Sequence, residues 1–404
     1  MKNDSSKAIG YNLLMINTFI YIAFSFYTPF LSSFYSLIGI NAVQIGILLA
    51  IGPVVAIFIQ PLWAILSDRT GRRKDVLSLV VLGSGCSIFL YYLGHTFITL
   101  FIATTLLSVF VTSIIPLSDA IIIRTASKYH FDFAKIRMGG TIGFSIVVII
   151  VGGFIGKNLS ASFALGSIGY FILFLIVRRL PREENEGKRE KGEHIKETRK
   201  KEKDRRGILN IFNTKQVLFV LAFAFICQMG FSFYSGFLGV YLLHLGYGAG
   251  TIGIINCVAA LSEVPTLLVI NKLIKRFGTM KIIIVSCIIM SIRIFIITGG
   301  NLFSLYVASL IQGITTMTIY YSCAVFISEH TNKGRQSQGQ STLAIMQTGI
   351  GSIVGNILGG FFVNYLGLKS AYMYMAAVVF TASAVIGLIQ VIYKRREQLK
   401  VVIE

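Results

Sequence analysis

The run Phe24-Ser25-Phe26-Tyr27-Thr28-Pro29-Phe30-Leu31 returns 207 positions later as Phe231-Ser232-Phe233-Tyr234-Ser235-Gly236-Phe237-Leu238. At the same offset Ile45-Gly46-Ile47 meets Ile252-Gly253-Ile254, and Arg69, Gly71 and Lys74 meet Arg276, Gly278 and Lys281. Between Phe24–Lys74 and Phe231–Lys281, 15 of 51 positions are identical without a gap. Shared apolar composition does not hold one offset across loops. Half of the chain is therefore a diverged copy of the other half, in the same order.

The repeated material is apolar. The 404 residues are 54% hydrophobic and only 13% charged, with a mean hydropathy of +0.75, whereas soluble domains carry about 25% charged residues. Several apolar runs reach the ~20 residues that cross a bilayer as a helix. They lack the alternation over ~10 residues that barrel strands require. The chain reads as an all-α integral membrane protein. Parallel repeats of this kind occur in membrane transporters, with the solute site at the repeat interface.

A net charge of +20 suggests nucleic acid until its distribution is considered. Of 37 Lys and Arg, 34 fall on one side of the expected membrane, Lys157 and Lys369 on the other, and Arg293 inside. That asymmetry marks the basic side as cytoplasmic and offers contacts to anionic headgroups; no nucleic acid is expected. The cysteines Cys86, Cys227, Cys257, Cys287 and Cys323 sit singly within apolar runs, without metal or disulfide spacing. Met1 to Gly10 runs straight into a long apolar segment, which is not the pattern of a cleavable leader.

Twelve spans are expected, at 9–37, 41–66, 75–94, 97–123, 137–156, 160–179, 214–243, 249–271, 281–298, 301–328, 338–363 and 370–392. They form two pseudo-symmetric six-helix bundles, 1–179 and 214–404, joined by a charged cytoplasmic linker at 180–213. Mixed charge without apolar spacing makes that linker a solvated segment. Both termini are expected in the cytoplasm, and a monomer in the plasma membrane.

A charge at mid-bilayer costs at least ~2.5 kcal/mol. Apart from Asp75 at the first position of span 3, only Asp119 and Glu263 among acids fall within spans, and only Arg293 among cations lies deep. Glu263 is ~12 Å from the basic end of span 8 and Arg293 ~18 Å into span 9, at 1.5 Å per residue. Neighbouring helices at those depths bring the two together, either as a fixed packing pair or as a proton-coupling pair. Pro265 loosens the helix beside Glu263.

Four spans carry polar stripes at helical spacing, which mark faces turned from lipid. Span 1 offers Asn17, Tyr21, Ser25 and Thr28, and span 7 offers Gln228, Ser232 and Ser235 at the repeat-matched positions. Spans 4 and 10 add Thr112, Gln312, Thr316 and Tyr320, and span 8 adds Asn256. Packing through small hydroxyls explains such stripes as well as a cavity does. The matching of spans 1 and 7 favours a shared cavity.

Between spans 2 and 3 stands Ser67-Asp68-Arg69-Thr70-Gly71-Arg72-Arg73-Lys74. It resembles the loop signature of the major facilitator superfamily, G-x-x-x-D-R/K-x-G-R-R/K, with Ala64 at the first Gly position. The likeness covers essentially the whole chain. Pro116-Leu117-Ser118-Asp119-Ala120, the run Ile136 to Phe144, Glu263-Val264-Pro265 and Arg293 look like the group that includes the phenylpropionate permease and the lactose and nucleoside proton symporters.

The resemblance implies a rocker-switch transporter whose path is lined by spans 1, 4, 7 and 10. It implies a cytoplasmic gate of Asp68, Arg69, Gly71, Arg72 and Arg73. Asp119 and Arg137 are expected to pair near the same side, as a gate more than as solute ligands. Span 5 lacks the G-x-x-x-G-P-x-x-G-G signature of drug/proton antiporters. Span 4 lacks the embedded Arg common among proton-coupled relatives.

The expectation is proton-coupled uptake of a small organic solute such as a sugar, nucleoside or aromatic acid. Glu263 is the candidate proton carrier, and Arg293 its partner or a solute anchor. Export by proton antiport, or uncoupled facilitation, is the alternative. No enzyme, metal or cofactor is expected: His95, His130, His194, His244 and His330 are scattered over span ends and loops.

Overall fold

The computed structural model describes residues 2–129, 131–156, 158–180, 215–331 and 336–403. The expected linker lies, apart from Leu180, outside the described residues. Among those described, twelve helical segments are long and apolar enough to span a bilayer. Spans 1 to 6 are Ile9–Leu37, Ala42–Thr70, Arg73–Leu93, Phe97–Tyr129, Lys135–Ile155 and Ser160–Arg178. Spans 7 to 12 are Gln216–His244, Ala249–Phe277, Thr279–Gly299, Leu302–His330, Gln338–Leu366 and Leu368–Tyr393. The described residues form an all-α membrane protein.

The repeat is visible in the backbone. Gly39 and Gly246, matched at the 207 offset, both turn at positive φ, 85° and 83°. So do Gly71 and Gly278, at 65° and 85°. A glycine at positive φ, where a side chain would be strained, follows each of these helices.

Two features of the sequence reading need correction. Span 2 stays helical to Thr70 and the next helix begins at Arg73. Asp68 and Arg69 therefore ride the last helical turn, and the turn itself is only Gly71 and Arg72. Hydropathy falls where a helix leaves the bilayer, but helical hydrogen bonding continues beyond it. Span 8 likewise runs unbroken through Pro265 to Phe277.

Close packing groups the chain into two compact units, Met1–Thr198 with Leu238–Leu261, and Arg199–Phe237 with Ser262–Glu404. This grouping follows contact. The division into halves 1–179 and 214–404 follows repeat, and we keep it as the proposed domain organisation.

In the first unit spans 1, 5 and 6 pack together, with span 3 against spans 4 and 6. Its polar core is a closed triangle: Tyr35 Oη donates to Tyr91 Oη (3.2 Å), Tyr91 Oη donates to Thr104 Oγ1 (2.7 Å), and Tyr35 and Thr104 lie 3.1 Å apart. Phe163 lies against Tyr91 and Phe34, ring centroids 4.9 and 4.7 Å away. Buried hydroxyls that bond one another avoid the cost of an unpaired polar group. In the second unit Gly355 lets span 11 meet the backbone of span 7; a Cβ there would lie 2.2 Å from the Met229 carbonyl oxygen.

Candidate functional site

Among the described residues, two polar assemblies hold charged groups inside the spans, Asp119 with Arg137 in the first unit and Arg293 with Glu263 in the second. Span 4 of the first unit breaks at Thr112–Ser113, between helical stretches Phe97–Val111 and Ile114–Tyr129. Pro116 is the cause. It has no N–H to give the carbonyl four residues earlier, that of Thr112. Gln60 Nε2 of span 2 donates to that oxygen instead, at 2.7 Å. The Ser113 N–H turns to Phe110 O, and Trp63 Nε1 takes the Val109 carbonyl at 2.8 Å. Two side chains of span 2 thus satisfy the carbonyls at the kink.

Below the kink, Arg137 Nη1 donates to both carboxylate oxygens of Asp119, at 3.3 and 3.1 Å. Tyr21 presents its ring to the guanidinium, 5.4 Å from centroid to Cζ. Asn17 is buried and donates to the carbonyls of Ile136 and Arg137. The glycines of the 136–144 run make this possible. A Cβ on Gly140 would lie 2.4 Å from the Tyr21 ring, and one on Gly139 or Gly143 would press on Thr18. This run is the face on which span 1 packs.

In the second unit, Arg293 is fully buried. Its Nε donates to Ala308 O at 2.8 Å, Nη1 to Thr315 and Thr316 hydroxyls at 3.5 and 3.4 Å, and Nη2 to Gln312 Oε1 at 2.6 Å. The Tyr234 ring covers the cation at 4.1 Å and Phe231 stands at 5.9 Å. Burying a charge costs several kcal/mol unless it is fully solvated by the protein. Here charge-assisted hydrogen bonds and a desolvated cation–π contact supply that solvation.

Glu263 enters through Gln312, whose Nε2 donates to Glu263 Oε1 at 3.0 Å. The next residues on each helix also touch, because the Gly313 N–H donates to Ser262 Oγ at 3.0 Å. From Gly313 to Met317 span 10 widens into a π turn, in which the Thr318 N–H reaches Gly313 O. Such turns are rare and cluster at functional sites.

The remaining candidates divide by exposure, and the division respects the repeat. Ser25 and Ser232 are buried, whereas Thr28 and Ser235 are exposed. Tyr21 and Gln228 are both half-buried. Gln228 donates to Ser232 and to Ser352 of span 11. Asn17 and Gln228 therefore tie helices together, whereas Ser25 donates to Ile22 O of its own helix and Ser232 accepts from Gln228 of the same span. Asn256 and Thr112 bond carbonyls of their own helices, and Tyr320 is exposed. Asp68 pairs at 3.6 Å with Arg73 across one turn, its side chain 53% exposed. A half-exposed pair like that contributes at most about 1 kcal/mol. Arg69 and Arg72 are exposed, and Gly71 forms the turn.

Sequence reasoning missed Ser262, Thr315 and Tyr234 around Arg293, and Gln60 and Trp63 at the kink. One signal was available. Pro116 within a spanning helix calls for a donor to Thr112 O, although nothing in the sequence says which helix supplies it.

A profile of the MFS_1 like family matches residues 11–374. The maltose permease of Geobacillus stearothermophilus is 22% identical over 363 residues, covering 89% of this chain and 88% of that one. The probable 3-phenylpropionic acid transporter of Escherichia coli (strain K12) is 21% identical over 366 residues, 90% and 93% of the two chains. Among solved structures, the nucleoside transporter NupG superposes with a TM-score of 0.81 at 17% identity, over 94% of this chain and 98% of that one. The repeat, the twelve spans and the motif between spans 2 and 3 thus converge on one conclusion: the chain belongs to the MFS_1 like family and is a membrane transporter of the major facilitator superfamily.

Proposed function

We propose that this transporter takes up a small organic solute together with protons, by alternating access, and that Glu263 carries the proton. The observation behind this is the carboxyl group in span 8 hydrogen-bonded through Gln312 to a buried guanidinium in span 9. A bilayer-embedded acid tied to a cation across three spans is costly to keep and suited to a reversible change of charge. Each guanidinium nitrogen of Arg293 already donates to the protein, which supports a role beside the acid over that of a solute anchor. Thr28, Ser235, Thr112, Asn256, Tyr320 and Tyr21 stay as candidates for solute contact. Asp119 and Arg137 act as a gate pair on the basic side, which is the cytoplasmic side in this reading. Sugar, aromatic acid and nucleoside appear in the relatives' names, and the same three classes suit the aromatic-rich spans 1 and 7.

The test is uptake of labelled maltose, 3-phenylpropionate and uridine into proteoliposomes, against protein-free vesicles. An inward gradient of about one pH unit supports roughly tenfold accumulation at one proton per solute. Protonophore-sensitive accumulation that is lost in Glu263→Gln, with solute exchange kept, is the expected result. Equilibration without accumulation marks a facilitator, and extrusion driven by the same gradient an exporter. Undiminished accumulation in Glu263→Gln removes that residue from the coupling.

A further inference from the structure

We propose that Gln312 is a positioning residue of the proton site, relaying between Arg293 and Glu263, and that it is not a solute ligand. The inference deepens the reading above and rests on it. Arginine has no acceptor, so the Gln312 atom 2.6 Å from Nη2 is the carboxamide oxygen. The amide nitrogen is then fixed toward Glu263 Oε1, 3.0 Å away. Both ends of the amide are committed to protein groups, and one planar group connects cation to acid.

The backbone enforces the short span. A Cβ on Gly313 would lie 2.2 Å from the Ser262 carbonyl oxygen and 2.5 Å from Thr266 Oγ1. Spans 8 and 10 therefore meet main chain to main chain next to the amide. Consecutive residues on the two helices are bonded, Ser262 to Gly313 and Glu263 to Gln312. The π turn begins at that contact.

Protonation of Glu263 converts the acceptor of Gln312 from a charged to a neutral oxygen, and hydrogen bonds to charged groups are roughly twice as strong. The amide then gives up part of its hold on span 8 while keeping Arg293. In this way a proton gained on span 8 alters the tie to the widened turn of span 10. Thr315 and Thr316 of that turn contact the same guanidinium.

The relay is testable without a solute. Infrared pH-difference spectra of the lipid-reconstituted full chain give the titration of the Glu263 carboxyl band, identified by its loss in Glu263→Gln. Arg293→Lys keeps the charge and removes the guanidinium fork. It is expected to shift the midpoint of that band in the native background, and to shift it by less than half as much in a Gln312→Leu background. Gln312→Asn, one methylene too short to hold both partners, replaces Gln312→Leu should the leucine variant not fold. Equal shifts in the two backgrounds overturn the proposal. So does an Arg293→Lys protein whose band does not move, or a Gln312→Leu protein whose band titrates as wild type. Failure of the transport reading is distinguishable: accumulation unchanged in Glu263→Gln removes the proton-carrier role while the relay is still measured.

Discussion

Gln60→Leu should destabilise the protein by about 1–3 kcal/mol, the cost of leaving a half-buried carbonyl within a membrane span unpaired. It should do so only because residue 116 is proline. The acceptor is Thr112 O, 2.7 Å from Gln60 Nε2, and Thr112 O is the atom that an N–H at position 116 would bond in a continuous helix. Pro116→Ala restores that N–H. In the Pro116→Ala background the helix closes on itself, the leucine leaves nothing unpaired, and its cost should fall to a few tenths of a kcal/mol.

The double-mutant cycle isolates a coupling of about 1–3 kcal/mol, well above the ~0.5 kcal/mol within which independent sites add. Because the cycle is a difference, the better helix propensity of alanine cancels. The chain has a single tryptophan, and Trp63 sits at this kink with its Nε1 on Val109 O. Its emission during denaturant unfolding in lipid-detergent micelles follows the segment in question. Equal costs for Gln60→Leu in the native and Pro116→Ala backgrounds would refute the reasoning, since the side chain would then not be substituting for the missing backbone donor.

Three further outcomes follow from the space around glycines. Gly355→Ala places a methyl 2.2 Å from Met229 O and should cost about 1–3 kcal/mol by overpacking. Gly387→Ala meets nothing nearer than 3.5 Å and should be neutral or stabilise by up to ~1 kcal/mol. Four of the five cysteines are buried, so melting followed with a thiol-reactive dye reads both. Gly140→Ala drives a methyl into the Tyr21 ring at a similar cost of about 1–3 kcal/mol. Tyr21→Ala should relieve that cost, and a cost that persists in the same melting assay would show that the ring is not what Gly140 accommodates.

The sequence alone determined the class, the number of spans and their order. Bilayer crossing requires ~20 apolar residues in a helix that satisfies its own backbone, and both requirements are local. The repeat was equally legible, because a copied stretch keeps its offset whatever it packs against. Its turn glycines, Gly39 with Gly246 and Gly71 with Gly278, keep the same sign of φ. Helix ends on the basic side were misjudged, since hydropathy measures the membrane and hydrogen bonding measures the helix.

Residue types at the site were also legible: two acids, Asp119 and Glu263, and a lone deep cation in apolar spans stand out by their cost. Their connection was not. Rise per residue places Glu263 and Arg293 at similar depths but leaves the rotation of each helix about its axis unspecified. Only the tertiary structure sets Gln312 between them, turns Ser25 and Ser232 inward while Thr28 and Ser235 stay exposed, and brings Gln60 and Trp63 to the carbonyls freed by Pro116. Which face of a helix meets which neighbour depends on contacts far apart in the chain, such as a glycine on one span admitting the backbone of another. Periodicity within a single span carries no record of those contacts.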